Sequence, residues 1–105
     1  MEGQPPRWKV TEVADLRGDR LILVHGELDI ATAPRLAALL KRLREHRHPV
    51  VLDLSEVAFM DSSGLNVLLD ARNSSRRDGW SFRIRRVSPR VARLARLAGA
   101  EDLIE

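Results

Sequence analysis

The sequence predicts a single α/β domain in which a mixed β-sheet of about four to five strands packs against about four helices. Its expected order is strand, strand, helix, strand, helix, strand, helix, with a short helical turn at the end. Three observations predict it. Short apolar runs bounded by Gly, Pro, Asp and Ser alternate with stretches whose apolar residues recur every three to four positions. Arg17-Gly18-Asp19 supplies a hairpin turn between the first two runs. The length of 105 residues with 44% hydrophobic content suits one domain that buries about two-thirds of its unfolded surface. No internal repeat or linker divides the chain, so the expected organisation is a mobile polar tail at residues 1–6 and one domain at 7–105.

Trp8 to Ala14 has a mixed strand pattern. Leu21-Ile22-Leu23-Val24 is apolar without alternation, which predicts a central strand buried on both faces. Gly26-Glu27-Leu28-Asp29 ends it. Thr32 is placed to cap the next helix, with Pro34 tolerated in its first turn and Leu36, Leu39, Leu40 and Leu43 forming an apolar stripe. His46-Arg47-His48-Pro49 closes that helix and leads into the buried strand Val50-Val51-Leu52-Asp53-Leu54. After a second helix, Asp78-Gly79 marks a turn, and Ser81 to Arg85 alternates with Phe82 and Ile84 inward. Ser88-Pro89 opens a last helix with Val91, Leu94, Ala95 and Ala98 as its buried stripe, and Gly99 ends it. Asp102-Leu103-Ile104 follows as the short final turn.

The chain is organised around Phe59-Met60-Asp61-Ser62-Ser63-Gly64-Leu65, a turn after the apolar strand and before the second helix. Asp61 is the expected N-cap, its carboxylate accepting from free N–H groups of the first turn. Taking Leu65, Leu68 and Leu69 as the core direction, Ser63 lies about 170° away and Ser62 about 70°. Ser63 is therefore expected to face solvent, beside Val67, Asp70, Ala71 and Ser74, a flat row suited to docking a partner. Spacing alone leaves open a plain capping role for both serines.

Phe59 to Leu65, preceded by Val-Leu-Asp-Leu and by Gly26-Glu27-Leu28-Asp29, resembles the bacterial anti-sigma factor antagonists of the STAS domain family, from about Trp8 to the end. The resemblance implies a STAS fold and a cytoplasmic, non-enzymatic transcription regulator. It implies phosphorylation of the second serine, Ser63, by a partner that is both anti-sigma factor and serine kinase, and reversal by a phosphatase. Unmodified, such a protein binds the anti-sigma factor and releases a sigma factor. The aspartate before the serines, Asp61, belongs to that motif; the partner surface is expected to comprise Asp29, Asp61, Ser62, Ser63, Gly64, Asn66 and Val67. A monomer or small homo-oligomer fits a switch, whereas a scaffold role in a large sensing assembly is the alternative within the same resemblance.

Other chemistries lack their residues. With no cysteine there is no disulfide, zinc–thiolate site or thiol nucleophile, which fits a reducing compartment. No apolar run reaches a membrane span, and the N-terminus has no signal-peptide core. There is no Gly-x-Ser-x-Gly elbow and no phosphate-cradling glycine loop. His25 on a central strand reads as structural, and His46 and His48, two apart, are poorly spaced as metal ligands. No enzyme, cofactor or metal is expected. Net charge is +3, with Arg76, Arg77, Arg83, Arg85, Arg86, Arg90, Arg93 and Arg96 in one stretch that suits an acidic partner surface or nucleic acid. Aromatic content of 4% leaves few stacking platforms for nucleic acid.

Overall fold

The β-branched and leucine-rich run after Pro49 forms the long strand at the centre of the molecule, and the other elements are arranged about it. The computed structural model describes residues 8–14 and 18–104. The expected tail at 1–6 and Arg17 of the expected hairpin turn lie outside the described residues. The strands are β1 (Trp8–Ala14), β2 (Arg20–Leu28), β3 (Val50–Met60) and β4 (Phe82–Val87). The helices are α1 (Ala33–Glu45), α2 (Ser62–Asp78) and α3 (Pro89–Leu97), followed by a single 3-10 turn at Glu101–Leu103. The expected fourth helix is thus no more than this turn, because Gly99 at φ 71° breaks the helical path.

The four strands lie in the order β1-β2-β3-β4. β1 is antiparallel to β2, while β2, β3 and β4 run parallel. Parallel neighbours need crossovers, which α1 and α2 supply; right-handed crossovers in one direction place both on the same face, and they pack side by side. The core between that face and the helices holds Ile22, Val24, Leu36, Leu40, Leu52, Leu54, Leu68, Ile84 and Val91.

The opposite sheet face is only partly covered. Ile22 and Val24 are buried but Leu21 and Leu23 are half-buried, so the expected burial of β2 on both faces is not found. On that open face His25 is exposed and stands 3.6 Å from Glu56, instead of being enclosed. Val51 and Asp53 are buried there on β3: the Asp53 Oδ1 accepts from the Ser55 N–H at 2.9 Å and the Ser55 hydroxyl at 2.6 Å, and its Oδ2 lies 3.9 Å from Arg86 Nε. Burial raises the Asp53 pKa, but the Ser55 hydrogen bonds and the Arg86 charge outweigh it and hold the carboxyl below its ordinary value.

The far ends of the helices are tied down. Asp78 accepts from Arg44 Nε at 2.8 Å and from the Trp80 N–H at 3.0 Å, with Arg47 3.4 Å away. These contacts, the Arg44 hydrogen bond foremost, lower its pKa. Trp80 is buried, stacks on Phe82 and donates from its indole to the His48 carbonyl at 2.7 Å. His46 is the C-cap of α1 and is exposed. In α3, Ser88 accepts from the Val91 N–H at 3.3 Å as the expected cap. Val91 and Ala95 are buried and Leu94 half-buried, but Ala98, the C-cap residue, is exposed.

Candidate functional site

The C-terminal ends of parallel β2 and β3 bring Asp29 and Asp61 together. Leu28 pairs with Met60 in register, so the next residue of each strand lies on one sheet edge, and the Asp61 N–H donates to the Leu28 carbonyl at 3.3 Å. Loops at the carboxyl ends of parallel strands are where α/β folds place their binding residues.

Each aspartate organises its own turn. Asp61 is the N-cap of α2, its Oδ1 accepting from Ser63 N–H at 2.8 Å and Gly64 N–H at 3.4 Å. Asp29 Oδ1 accepts from Ala31 N–H at 3.0 Å and Thr32 N–H at 3.1 Å, folding the β2–α1 loop. Thr32 is the N-cap residue of α1 as expected, but its side chain makes no capping hydrogen bond: its hydroxyl accepts from the Asp29 N–H at 2.9 Å and donates to the Glu27 carbonyl at 2.7 Å. The loop has taken the oxygen that the helix would have used.

The two serines are placed otherwise than the helical wheel foretold. Ser62 is exposed and Ser63 is half-buried. The wheel took Leu65, Leu68 and Leu69 as the core direction, but the buried residues of α2 are Gly64, Leu65, Leu68 and Ala71, with Leu69 only half-buried. About that true axis Ser62 and Ser63 lie symmetrically, each about 130° away. What separates them is the neighbour helix, since α1 packs along the side of α2 that carries Val67, Ala71 and Ser74. Ala71, expected on an exposed row, is buried for the same reason.

Gly64 is also corrected. It is buried, not part of a surface, and a Cβ built on it meets the Leu28 carbonyl oxygen at 2.7 Å, Leu28 Cγ at 2.8 Å and Met60 Cγ at 3.0 Å. It lets the first turn of α2 sit directly on the ends of β2 and β3, and so fixes where Ser62 emerges. Asn66 is exposed and Val67 half-buried, so both border the surface.

Two apolar residues of this edge escaped the sequence reading. Ile30, next to Asp29, is 77% exposed, and Phe59, two residues before Asp61, is 37% exposed. The Arg90 guanidinium lies 5.5 Å from the Phe59 ring centroid. The signal available was an isoleucine in a polar turn, where no core contact calls for it. Arg83, Arg85, Arg86, Arg93 and Arg96 are exposed as expected. Among the described residues no cluster of three His, Cys, Asp or Glu side chains could hold a metal ion, and no helix is long and apolar enough to cross a membrane.

Known proteins are similar to this chain in sequence and fold. The family model described as "Mlab, STAS domain" matches residues 13–105. An anti-sigma-B factor antagonist of Bacillus subtilis (strain 168) is 30% identical over 94 residues, 90% of this chain and 86% of that one. The crystal structure of an anti-sigma factor antagonist from Mycobacterium paratuberculosis superposes with a TM-score of 0.76 at 28% identity, covering 91% of this chain and 83% of that one. The phosphorylated form of the Bacillus cell fate determinant SpoIIAA shares the fold with a TM-score of 0.73 at 17% identity, over 92% and 89% of the two chains.

Proposed function

Because the chain belongs to the STAS domain family, and within it to the anti-sigma factor antagonists, we propose that it is a phosphorylation-controlled partner switch whose acceptor is Ser62. The observation that carries this reading is the exposed hydroxyl of Ser62 on the first residue of α2, beside a half-buried Ser63 whose N–H is already bound by Asp61. A kinase needs the acceptor oxygen within reach of the γ-phosphorus, and Ser62 meets that need where Ser63 meets it only in part. Unmodified, the edge formed by Ile30, Phe59, Ser62 and Asn66 docks on an anti-sigma factor and frees a sigma factor. That anti-sigma factor is the kinase: the Ser62 oxygen attacks the γ-phosphorus of its ATP, ADP leaves, and the serine proton passes to a base of the kinase. A phosphatase restores the hydroxyl.

Phosphate adds about −1.5 to −2 charges at neutral pH. The helix N-terminus accommodates negative charge through its dipole and N–H groups, so the fold persists; SpoIIAA, of the same fold, has been solved phosphorylated. The docking surface is what changes, because a fitted interface must then desolvate or repel a hydrated dianion. Wild type, Ser62→Asp, Ser62→Ala and Ser63→Ala used as parallel baits in lysate test this. The reading expects an ATP-binding kinase captured by wild type, Ser62→Ala and Ser63→Ala but not by Ser62→Asp, and label from ATP on wild type and Ser63→Ala only. Label that persists in Ser62→Ala and vanishes in Ser63→Ala would return the acceptor to Ser63.

A further inference from the structure

Beside the acceptor edge, α1 and α2 leave an apolar groove between them. Leu40, Val67, Ala71 and the buried Trp80 supply its interior, while Lys41 and Asp70 stand at its exposed rims. Its volume is about 140 Å³. At about 30 Å³ per water-sized unit that is room for four to five non-hydrogen atoms, the size of one leucine, isoleucine or methionine side chain. Filling it removes apolar surface from water.

Two further observations define the occupant. Val67 and Ala71 follow Ser63 by one and two helical turns, about 6 and 12 Å along the axis. A standard interface buries about 800 Å² per partner, a patch about 30 Å across, so a partner docked over Ser62 can also reach the groove. Neither Lys41 nor Asp70 has an ion pair among the described residues, unlike the neighbouring Arg44, held at 2.8 Å by Asp78. Opposite charges on the two rims of an apolar slot select an aliphatic side chain flanked by an acid and a base.

We propose that this groove is a second docking point for the kinase partner, receiving one aliphatic side chain with an acidic neighbour set against Lys41 and a basic neighbour against Asp70. The proposal rests on the partner-switch reading above. A second copy of this chain is a poor occupant: its most exposed aliphatic residues, Ile30 and Leu97, do not lie between an acid and a base in sequence. The groove contributes affinity that phosphorylation leaves untouched, so phosphate at the helix N-terminus opposes an interface anchored one to two turns away.

Ala37→Phe tests this, because Ala37 is an exposed lining residue and its new ring fills the groove from the rim. Lys41→Glu is the second variant, on an exposed position that does not threaten the core. The probe is the purified kinase that wild type captures, titrated calorimetrically against wild type, both groove variants and Ser62→Asp, with thermal melts as fold control. The expected result is binding weaker by at least about tenfold for Ala37→Phe and severalfold for Lys41→Glu, with KM for Ser62 phosphorylation raised and kcat unchanged. If both variants bind like wild type while Ser62→Asp does not bind, the groove proposal falls and the switch stands. If Ala37→Phe loses binding but Ser62→Asp keeps it, the groove stands and the switch falls. Loss of self-association in Ala37→Phe, seen by sedimentation, would make a second copy the occupant and overturn the proposal; capture of no kinase by wild type overturns both readings.

Discussion

Gly64→Ala puts the packing beneath the site to a quantitative test. Inside α2, alanine is the better helix former by about 1 kcal/mol, and no unusual φ demands glycine there, so propensity alone predicts stabilisation. The structure predicts the reverse. The new methyl would sit 2.7 Å from the Leu28 carbonyl oxygen and 2.8 Å from Leu28 Cγ, where ordinary contact begins at 3.4 Å. The helix start must therefore lift by roughly 0.7 Å, or β2 must yield. The same Leu28 oxygen accepts the Asp61 N–H at 3.3 Å, so lifting the turn also strains that bond. Overpacking costs about 1–3 kcal/mol and a weakened hydrogen bond about 1, against the gain of about 1 from propensity. The expected net loss is about 1–3 kcal/mol, a fall in Tm of about 5–20 °C. Urea and thermal unfolding measure it, with Asn66→Ala, exposed two residues on, as the control expected to stay within about 0.5 kcal/mol. Stability of Gly64→Ala at or above wild type would refute the close-approach argument.

The cap gives a second expectation: Asp61→Ala loses about 1 kcal/mol because two N–H groups lose their acceptor, and Asp61→Asn recovers most of it, both read by thermal melts. The third concerns acid. Asp53 titrates below its ordinary value of 3.8, so its contribution is complete above that pH and disappears as pH falls through the lower, native-state value. Asp53→Asn, which keeps the Oδ1 acceptor for Ser55, should be less stable than wild type at pH 7, and the gap in urea midpoint should narrow as pH falls below 3.8; a gap that does not vary with pH would refute a stabilising contribution from the Asp53 charge. Finally, Ile30→Ala should leave Tm unchanged, since the side chain is 77% exposed, yet weaken capture of the kinase severalfold; unchanged capture would remove Ile30 from the interface.

Strands and helices were legible wherever local chemistry and tertiary packing agree. Val50–Leu54, Phe82–Ile84 and the Leu36–Leu43 stripe carry their period in the sequence, and Asp61 and Ser88 cap as their spacing indicates. The misplacements share one cause, which is that a neighbouring element claims a group that local rules assign elsewhere. Thr32 gives its hydroxyl to the β2–α1 loop. Val67 and Ala71 lie against α1, which no wheel drawn for α2 alone contains. Leu21 and Leu23 are as apolar as Ile22 and Val24, but crossovers of one hand put both packed helices on the same sheet face. Gly64 looks like a flexible turn residue, and only the 2.7 Å approach to Leu28 shows that its missing side chain is a packing requirement. The Asp-Ser-Ser-Gly turn located the site, while choosing between its serines required the third dimension.

The cap also explains why phosphorylation would act on docking and not on folding. Asp61 already occupies the N–H groups of Ser63 and Gly64, so a phosphate on exposed Ser62 need not rearrange the first turn to be accommodated. Its repulsion by the Asp61 carboxylate, a dianion against one negative charge taken at about 6 Å in water, amounts to about 1.4 kcal/mol, and the helix dipole returns about 0.3–1 kcal/mol of that. The folded state thus loses about 1 kcal/mol or less. At a dry interface the same group must shed the hydration of a dianion, a penalty of several kcal/mol, which is a factor of a hundred or more in affinity. The ratio of those two quantities is what makes Ser62, held rigidly at the edge of the sheet by Asp61 and Gly64, suited to a switch: a charge that the fold tolerates and a fitted partner does not.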